Sequence, residues 1–231
     1  MGDFCVLIPA YNEEKNIKKL LDELIKFVDK DKLIVIDDGS KDRTGRVAEE
    51  CGVCVISNEK NLGKGEALRK GFEEAIKKSI PWIITMDGDL QHHPYDIPKF
   101  LKIAKEDDVD VIIGSRMKNL KNMPFHRILS NKITSFLISL RIGQKIDDSQ
   151  CGFRMIRKKV LEKISLQKKH FSLESELLLK AGLNNFRIKS VNIRTIYNNS
   201  KSSIKPFRDT LNFIIVFISS FFWKKIKDNK C

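Results

Sequence analysis

The residues best suited to chemistry form one stretch, Asp87-Gly88-Asp89-Leu90-Gln91-His92-His93-Pro94. Two carboxylates stand one residue apart, directly after the apolar run Trp82-Ile83-Ile84-Thr85-Met86. That run has the length and composition of a buried strand. Carboxylates at its end need a counter-charge. Strand alternation sends residues two apart to one face, so the pair can share a cation. Oxygen ligands of this kind suit Mg²⁺ or Mn²⁺, which keep water and take phosphate oxygens as further ligands. Gln91 adds a neutral oxygen two residues on. The plainer reading is an acidic turn, because Asp-Gly is a common turn pair.

The elements that must position these residues alternate along the chain. Residues 4–8 are a continuous apolar run, as expected of a strand buried on both faces. Pro9-Ala10-Tyr11-Asn12-Glu13-Glu14 follows, with Asn12 as the expected helix cap and glutamates in the first turn. Ile17, Leu20, Leu21, Leu24, Ile25 and Val28 then keep helical spacing. Further strands are predicted over residues 33–36, 53–56, 82–86 and 109–113, and helices over 44–50, 64–77 and 97–104. Strand–helix alternation of this kind means an α/β protein with a mostly parallel sheet flanked by helices. Such sheets bind ligands at the carboxyl ends of their strands. Tyr11 and Glu13, Asp37 and Asp38, Asp87 and Asp89, and Gly114-Ser115-Arg116 all fall at predicted strand ends. Solubility alone does not explain acids at three of them, and the arrangement predicts one shared crevice.

After Arg116 the pattern changes. Residues 125–142 read as a basic amphipathic helix, either packed on the sheet or lying on a membrane. Asp147-Asp148-Ser149-Gln150-Cys151-Gly152-Phe153-Arg154 reads as a loop entering a strand. Residues 172–181 read as a helix with Glu174 and Glu176 in its first turns, and residues 188–196 as a strand with Arg194 near its end. Residues 207–223 are strongly apolar and precede Lys224, Lys225, Lys227 and Lys230. The expected organisation is a domain over 1–205 and an apolar, basic, amphipathic tail over 206–231.

Composition narrows the class. A chain of 231 residues with 42% hydrophobic content has the material for a real core. The formal net charge of +13 implies an anionic partner: nucleic acid, a membrane surface or phosphorylated small molecules. Five cysteines and no opening secretory signal imply a reducing, cytoplasmic setting. Cys51-Gly52-Val53-Cys54 lacks the second pair that a zinc site needs. No apolar run reaches the roughly 18 residues of a spanning helix. Gly63-Lys64-Gly65 lacks the spacing of a P-loop, although Lys64 can still face the crevice. No G-x-G-x-x-G follows the first strand, which argues against a nicotinamide dinucleotide site.

Taken in order, these segments resemble family 2 glycosyltransferases of the polyprenyl-phosphate type, such as dolichol-phosphate mannosyltransferases and dolichyl-phosphate glucosyltransferases. The matching pieces are residues 9–14, Asp37-Asp38-Gly39-Ser40, Asn61-Leu62-Gly63-Lys64-Gly65, Asp87-Gly88-Asp89-Leu90-Gln91, Gly114-Ser115-Arg116 and residues 148–154. Residues 172–181 and Ser200-Lys201 also fit. The resemblance implies a GT-A fold and a nucleoside-diphosphate sugar donor. Pro9, Tyr11, Glu13, Ile36 and Asp38 would hold the nucleoside, and Lys64 would join them in the donor site. Asp87, Gly88 and Asp89 would face the diphosphate, and Asp87, Asp89 and Gln91 would carry Mg²⁺ or Mn²⁺. Arg116 would approach the donor's phosphates. Arg127, Arg194 and Lys201 would approach phosphate or acceptor. Asp89 and Asp148 are the expected catalytic residues.

The implied reaction is a single displacement with inversion, moving the sugar to a polyprenyl phosphate at the cytoplasmic face of a membrane that the chain meets peripherally. A lipid phosphate is already an anion and needs no strong base. A saccharide hydroxyl, the alternative acceptor, needs one, and Asp148 is the candidate for it or for contact with the transferred sugar. Its plainer role is a loop carboxylate that caps or pairs with Arg154. Two readings compete from other classes. A sugar-phosphate nucleotidyltransferase would need a basic, glycine-rich loop near the first strand, where this chain is acidic. A nucleic-acid binder would leave the acid clusters unexplained.

Overall fold

The computed structural model describes residues 3–118, 120, 123–167, 172–194 and 206–223. The first strand, β1 (Phe4–Ala10), is buried along its whole length. It is followed by α1 (Glu14–Leu24), β2 (Leu33–Asp37), α2 (Thr44–Glu50), β3 (Cys54–Ser57), α3 (Lys64–Lys77) and β4 (Trp82–Thr85). Next come α4 (Ile97–Glu106), β5 (Val111–Ser115), α5 (Phe125–Ile142), β6 (Arg154–Arg157) and α6 (Lys158–Lys163). The described chain ends with α7 (Ser172–Leu183), β7 (Ile188–Asn192) and α8 (Pro206–Ser219). The strands form one sheet in the order β3-β2-β1-β4-β6-β5-β7. Its first four strands in space are parallel, as the strand–helix alternation predicts.

Register levels the strand ends. Ala10 of β1 stands opposite Asp37 of β2, and Leu7 opposite Thr85 of β4. The segments after β1, β2 and β4 therefore leave the sheet side by side, which is how three acidic segments distant in sequence meet. Asn12 does not cap α1 as expected. It takes a left-handed backbone (φ 56°), a conformation asparagine tolerates, and the helix starts after Glu13. Its side chain instead accepts a hydrogen bond from Lys41 N at 2.8 Å, tying the first crevice loop to the second.

The parallel pattern breaks at β6, which runs antiparallel between β4 and β5. A strand running backwards begins where its neighbours end. Arg154 stands opposite both Thr85 and Ile113, so residues 147–153 reach the sheet from the crevice side. Arg154 is itself buried. It donates from Nε to Cys151 O at 2.8 Å, from Nη2 to Ser149 O at 2.8 Å and from Nη1 to Glu174 O at 2.7 Å. One guanidinium thus fastens the loop and the first turn of α7 together. It does not pair with Asp148. β5 begins two residues later than its apolar run, because Val109 O accepts from Arg157 Nε at 2.7 Å and pairing with β7 starts at Val111. β7 ends at Asn192, short of the predicted 196. The short α6 was not expected.

The last described helix, α8, buries part of its apolar surface. Phe213 and Val216 are buried among the core residues. Arg141 of α5 donates from Nη2 to Ser220 O at 2.6 Å and lies 4.5 Å from the Phe221 ring centroid. Ile214, Ile215, Ile218, Phe221 and Phe222 remain exposed. On α5, Phe125, Leu129, Ile133, Phe136 and Leu140 form a second exposed apolar stripe at helical spacing. Residues 224–231 lie outside the described residues. No described helix is long and apolar enough to cross a membrane.

Candidate active site

The crevice is built on the loop after β4. Asp87 and Asp89 lie beyond the end of the strand, in a turn that Leu90 closes with φ 61°, so proximity in the turn and not strand alternation brings them together. Asp87 Oδ1 is 2.6 Å from Lys64 Nζ at the start of α3. Burial works against ionisation of Asp87, but Lys64, His92 and Arg116 outweigh it and hold its pKa below the ordinary carboxylate value. Asp89 goes the other way. Burial and the neighbouring Asp87 charge push it up to about 6. Gln91 N donates to Asp89 Oδ1 at 3.0 Å. Burial pushes Glu13 up as well, with Asp42 and Asp87 adding to the effect, while Asn16 Nδ2 donates to Glu13 Oε2 at 2.6 Å.

Such a set of oxygens is short of positive charge. No group of three His, Cys, Asp or Glu side chains fit to hold a metal ion occurs among the described residues. The donor set that is present, Asp87 and Asp89 with Gln91 two residues on, is all oxygen and incomplete. It fits a hard divalent cation that draws its remaining ligands from water and a diphosphate. The raised pKa of Asp89 marks where such a cation would be stabilised.

Lys64 is the nearest fixed cation. Its Nζ also lies 2.9 Å from Glu174 Oε1. Burial disfavours its charge, yet Asp87 and Glu174 more than compensate and raise its pKa. His92, fully enclosed, is lowered to about 4, chiefly by burial, and its Nδ1 accepts from Asp87 N at 3.4 Å. Gly152 walls this corner. A Cβ there would stand 2.6 Å from Asp87 Oδ2 and 2.8 Å from Lys64 Nζ, so a side chain would displace the ion pair. Thr85 Oγ1 holds that glycine by donating to its carbonyl at 2.7 Å.

The second cation is Arg116, just past β5. Asp148 takes it bidentately, Oδ2 accepting from Nε at 2.7 Å and Oδ1 from Nη2 at 2.8 Å. Oδ2 also accepts from Arg116 N at 3.1 Å, and Oδ1 from Asn131 Nδ2 at 2.7 Å. Burial would raise Asp148, but the Arg116 hydrogen bonds and charge dominate and hold it low. A buried carboxylate that accepts four hydrogen bonds and is held ionised is a poor proton acceptor. In this structure Asp148 anchors Arg116, an arrangement that does not favour it as a base.

Other expected contacts separate. Pro9 is buried at the end of β1 and Tyr11 is exposed just beyond it. Ile36 is fully buried, with Cδ1 against the position of Gly71 on α3, so its side chain packs in the core. Asp38 turns its carboxylate to the loop before α3, accepting from Leu62 N at 3.0 Å and Gly63 N at 2.7 Å. It shapes the approach of Lys64. Gly88 sits between the paired acids, and a Cβ there would stand 3.6 Å from Glu13 Cγ. Arg127 is half-buried near the start of α5. Arg194 is turned to Asp96, donating from its backbone at 2.7 Å and from Nε at 3.3 Å. Lys201 lies outside the described residues. Glu174 and Asn131 were assigned no role from sequence. Glu174 carried one signal, an acid in the first turn of a predicted helix, and Asn131 carried none.

The family model for Glycosyl transferase family 2 matches residues 5–165. The chain is 35% identical over 214 residues to a UDP-N-acetylglucosamine–dolichyl-phosphate N-acetylglucosaminyltransferase of Methanococcus voltae, covering 83% of this chain and 85% of that one. It is 36% identical over 187 residues to a dolichol-phosphate mannosyltransferase of Pyrococcus furiosus, covering 76% of this chain and 52% of that one. Its fold matches the glucosyl-3-phosphoglycerate synthase of Mycobacterium tuberculosis solved with Mn²⁺, UDP-glucose and glycerol 3-phosphate, with a TM-score of 0.70 at 21% identity over 96% of this chain and 79% of that one. The sheet is that of a GT-A fold and the family model matches it from the first strand onward, so this protein belongs to glycosyl transferase family 2.

Proposed function

We propose that this glycosyltransferase moves a sugar, with inversion, from a nucleoside-diphosphate sugar to a polyprenyl phosphate. The observation that carries the reading is the pairing of Asp87 and Asp89 at one strand end with two cations, Lys64 and Arg116, each held by a buried carboxylate. That is a site for phosphate. Sugar transfer needs the departing diphosphate neutralised, and preorganised positive groups do this without reorganising at the moment of reaction. Lys64 and Arg116 are fixed for it by Glu174 and Asp148. Asp87, Asp89 and Gln91 would hold Mg²⁺ or Mn²⁺, which supplies Lewis-acid stabilisation of the leaving diphosphate. The relative from Mycobacterium tuberculosis, solved with Mn²⁺ and UDP-glucose, supports the metal and the donor class. Tyr11 and Glu13, at the end of β1, face the nucleoside in this reading.

The acceptor follows from a proton argument. Asp148 is committed to Arg116 and is held ionised by it. A hydroxyl acceptor would need a base there, whereas a phosphate acceptor arrives as an anion and needs only positioning. Arg116, with Arg127 at the start of α5, would provide it. The Methanococcus voltae and Pyrococcus furiosus relatives, named for dolichyl and dolichol phosphate, support that acceptor. Such a lipid stays in the bilayer. The exposed stripes of α5 and α8, with Phe125 77% and Phe222 81% exposed, give the enzyme a means to rest on the cytoplasmic face.

The test is a panel of nucleotide sugars with Mn²⁺ and a polyprenyl phosphate, scored for nucleoside diphosphate and for sugar on lipid. Lipid-dependent release of nucleoside diphosphate is the expected result. Release of pyrophosphate, or transfer only to saccharide hydroxyls, would overturn the reading.

A further inference from the structure

The cation nearest the paired acids is held from two sides. Lys64 Nζ lies 2.6 Å from Asp87 Oδ1 and 2.9 Å from Glu174 Oε1. Asp87 is also the carboxylate that a divalent cation and a diphosphate would approach. An ammonium and a metal ion on one carboxylate repel each other, most strongly where water is scarce. Lys64 and Asp87 are both mostly shielded, at 18% and 25% side-chain exposure. The ammonium must give way when the site fills, and the surrounding chain limits where it goes. On one side stands Gly152, whose Cβ position lies 2.8 Å from Nζ. The carboxylate within reach on another side is Glu174. Its own place is fixed: it sits in the first turn of α7, a favourable end for a carboxylate, and its carbonyl accepts from the buried Arg154 at 2.7 Å.

We propose that Glu174 is a positioning residue that takes over the Lys64 ammonium when a metal ion claims Asp87, so that the lysine stays in the crevice as the diphosphate arrives. The inference rests on the metal-dependent reading of the site. Lys64 is then a resident counter-ion that offsets part of the charge of the empty acid pair, and Glu174 lowers the cost of moving it. Without Glu174 the lysine keeps its contact with Asp87 and opposes the metal.

The experiment measures Mn²⁺ affinity of the full chain without donor, by calorimetry and by the electron paramagnetic resonance signal of free Mn²⁺. Lys64→Gln removes the competitor, and Mn²⁺ binds about tenfold tighter. Glu174→Gln leaves Lys64 on Asp87, and Mn²⁺ binds about tenfold weaker. The double variant decides the mechanism. If Glu174 acts through Lys64, Glu174→Gln has little further effect once Lys64 is gone, and the double variant matches Lys64→Gln. An effect of Glu174→Gln that is equally large with and without Lys64 is a plain field effect of the lost charge and overturns the proposal. So does unchanged or weaker binding in Lys64→Gln, a result that stands even if Glu174→Gln fails to fold. Failure of both wild type and Lys64→Gln to bind Mn²⁺ overturns the metal reading and this proposal with it. Binding that ignores Lys64 overturns this proposal alone.

Discussion

Replacing Asp148 by Asn separates a structural anchor from a catalytic base. The substitution keeps the shape and removes the charge. The native carboxylate accepts from Arg116 N, Nε and Nη2 and from Asn131 Nδ2, at 2.7 to 3.1 Å. An Asn amide keeps one oxygen and turns an NH₂ toward one of these donors, so at least one hydrogen bond becomes a clash of donors. The Arg116 charge, 16% exposed, also loses its counter-ion. Breaking a buried pair from one side costs about 3–5 kcal/mol. For a chain of this size that lowers the melting temperature by roughly 6–10 °C. The pH dependence has a definite sign. Asp148 is held below its unfolded value, which is about 3.9. Its contribution is therefore complete above that value and disappears as pH falls through the lower folded value. Urea melts of both proteins should differ fully at pH 7 and converge below about pH 4. Transfer should fall as well, because Arg116 loses its place. A variant as stable as wild type at pH 7 that has lost only kcat would refute the anchor and restore the base.

Asp89→Asn should abolish nucleoside diphosphate release while melting at the same or a higher temperature at pH 7. The folded protein raises the Asp89 pKa to about 6, so the charge opposes folding at neutral pH and the amide relieves it. A lower melting temperature, or full activity in excess chelator, would count against the assignment. Gly152→Ala places a methyl 2.6 Å from Asp87 Oδ2 and 2.8 Å from Lys64 Nζ, and the KM for donor should rise about tenfold or more. An unchanged KM would mean that the ion pair is not part of the donor site. Ile218→Asp with Phe136→Asp, on the exposed faces of α8 and α5, should release the protein from anionic liposomes in flotation without unfolding it. Deleting α8 is a poorer test, because it also uncovers the core contacts of Phe213 and Val216.

How much of this was legible in the sequence depended on whether the signal was local. Apolar runs and helical spacing marked most of the elements, including α5 from Phe125 to Ile142 and α3 from Lys64 to Lys77. These patterns follow from burial of one strand or one helix face and need no knowledge of the rest of the chain. Asp87 and Asp89 were legible for the same reason: two charges at the end of an apolar run are an anomaly within eight residues. Other features arise between segments. Nothing near Asp148 says that its partner is Arg116, 32 residues away, or that Arg154 turns to backbone carbonyls. That choice was made when β6 entered the sheet antiparallel and brought residues 147–153 in at the crevice. Ile36 and Asp38 illustrate the same limit. The resemblance implies a nucleoside contact for both, whereas the packing of Ile36 under α3 and the bonds of Asp38 to the backbone of residues 62–63 depend on segments far from them in sequence. Glu174 meets Lys64 across 110 positions of sequence because α3 and α7 share one end of the sheet. Local burial decides which residues are anomalous, and the order and direction of strands decides which of those anomalies neutralise one another.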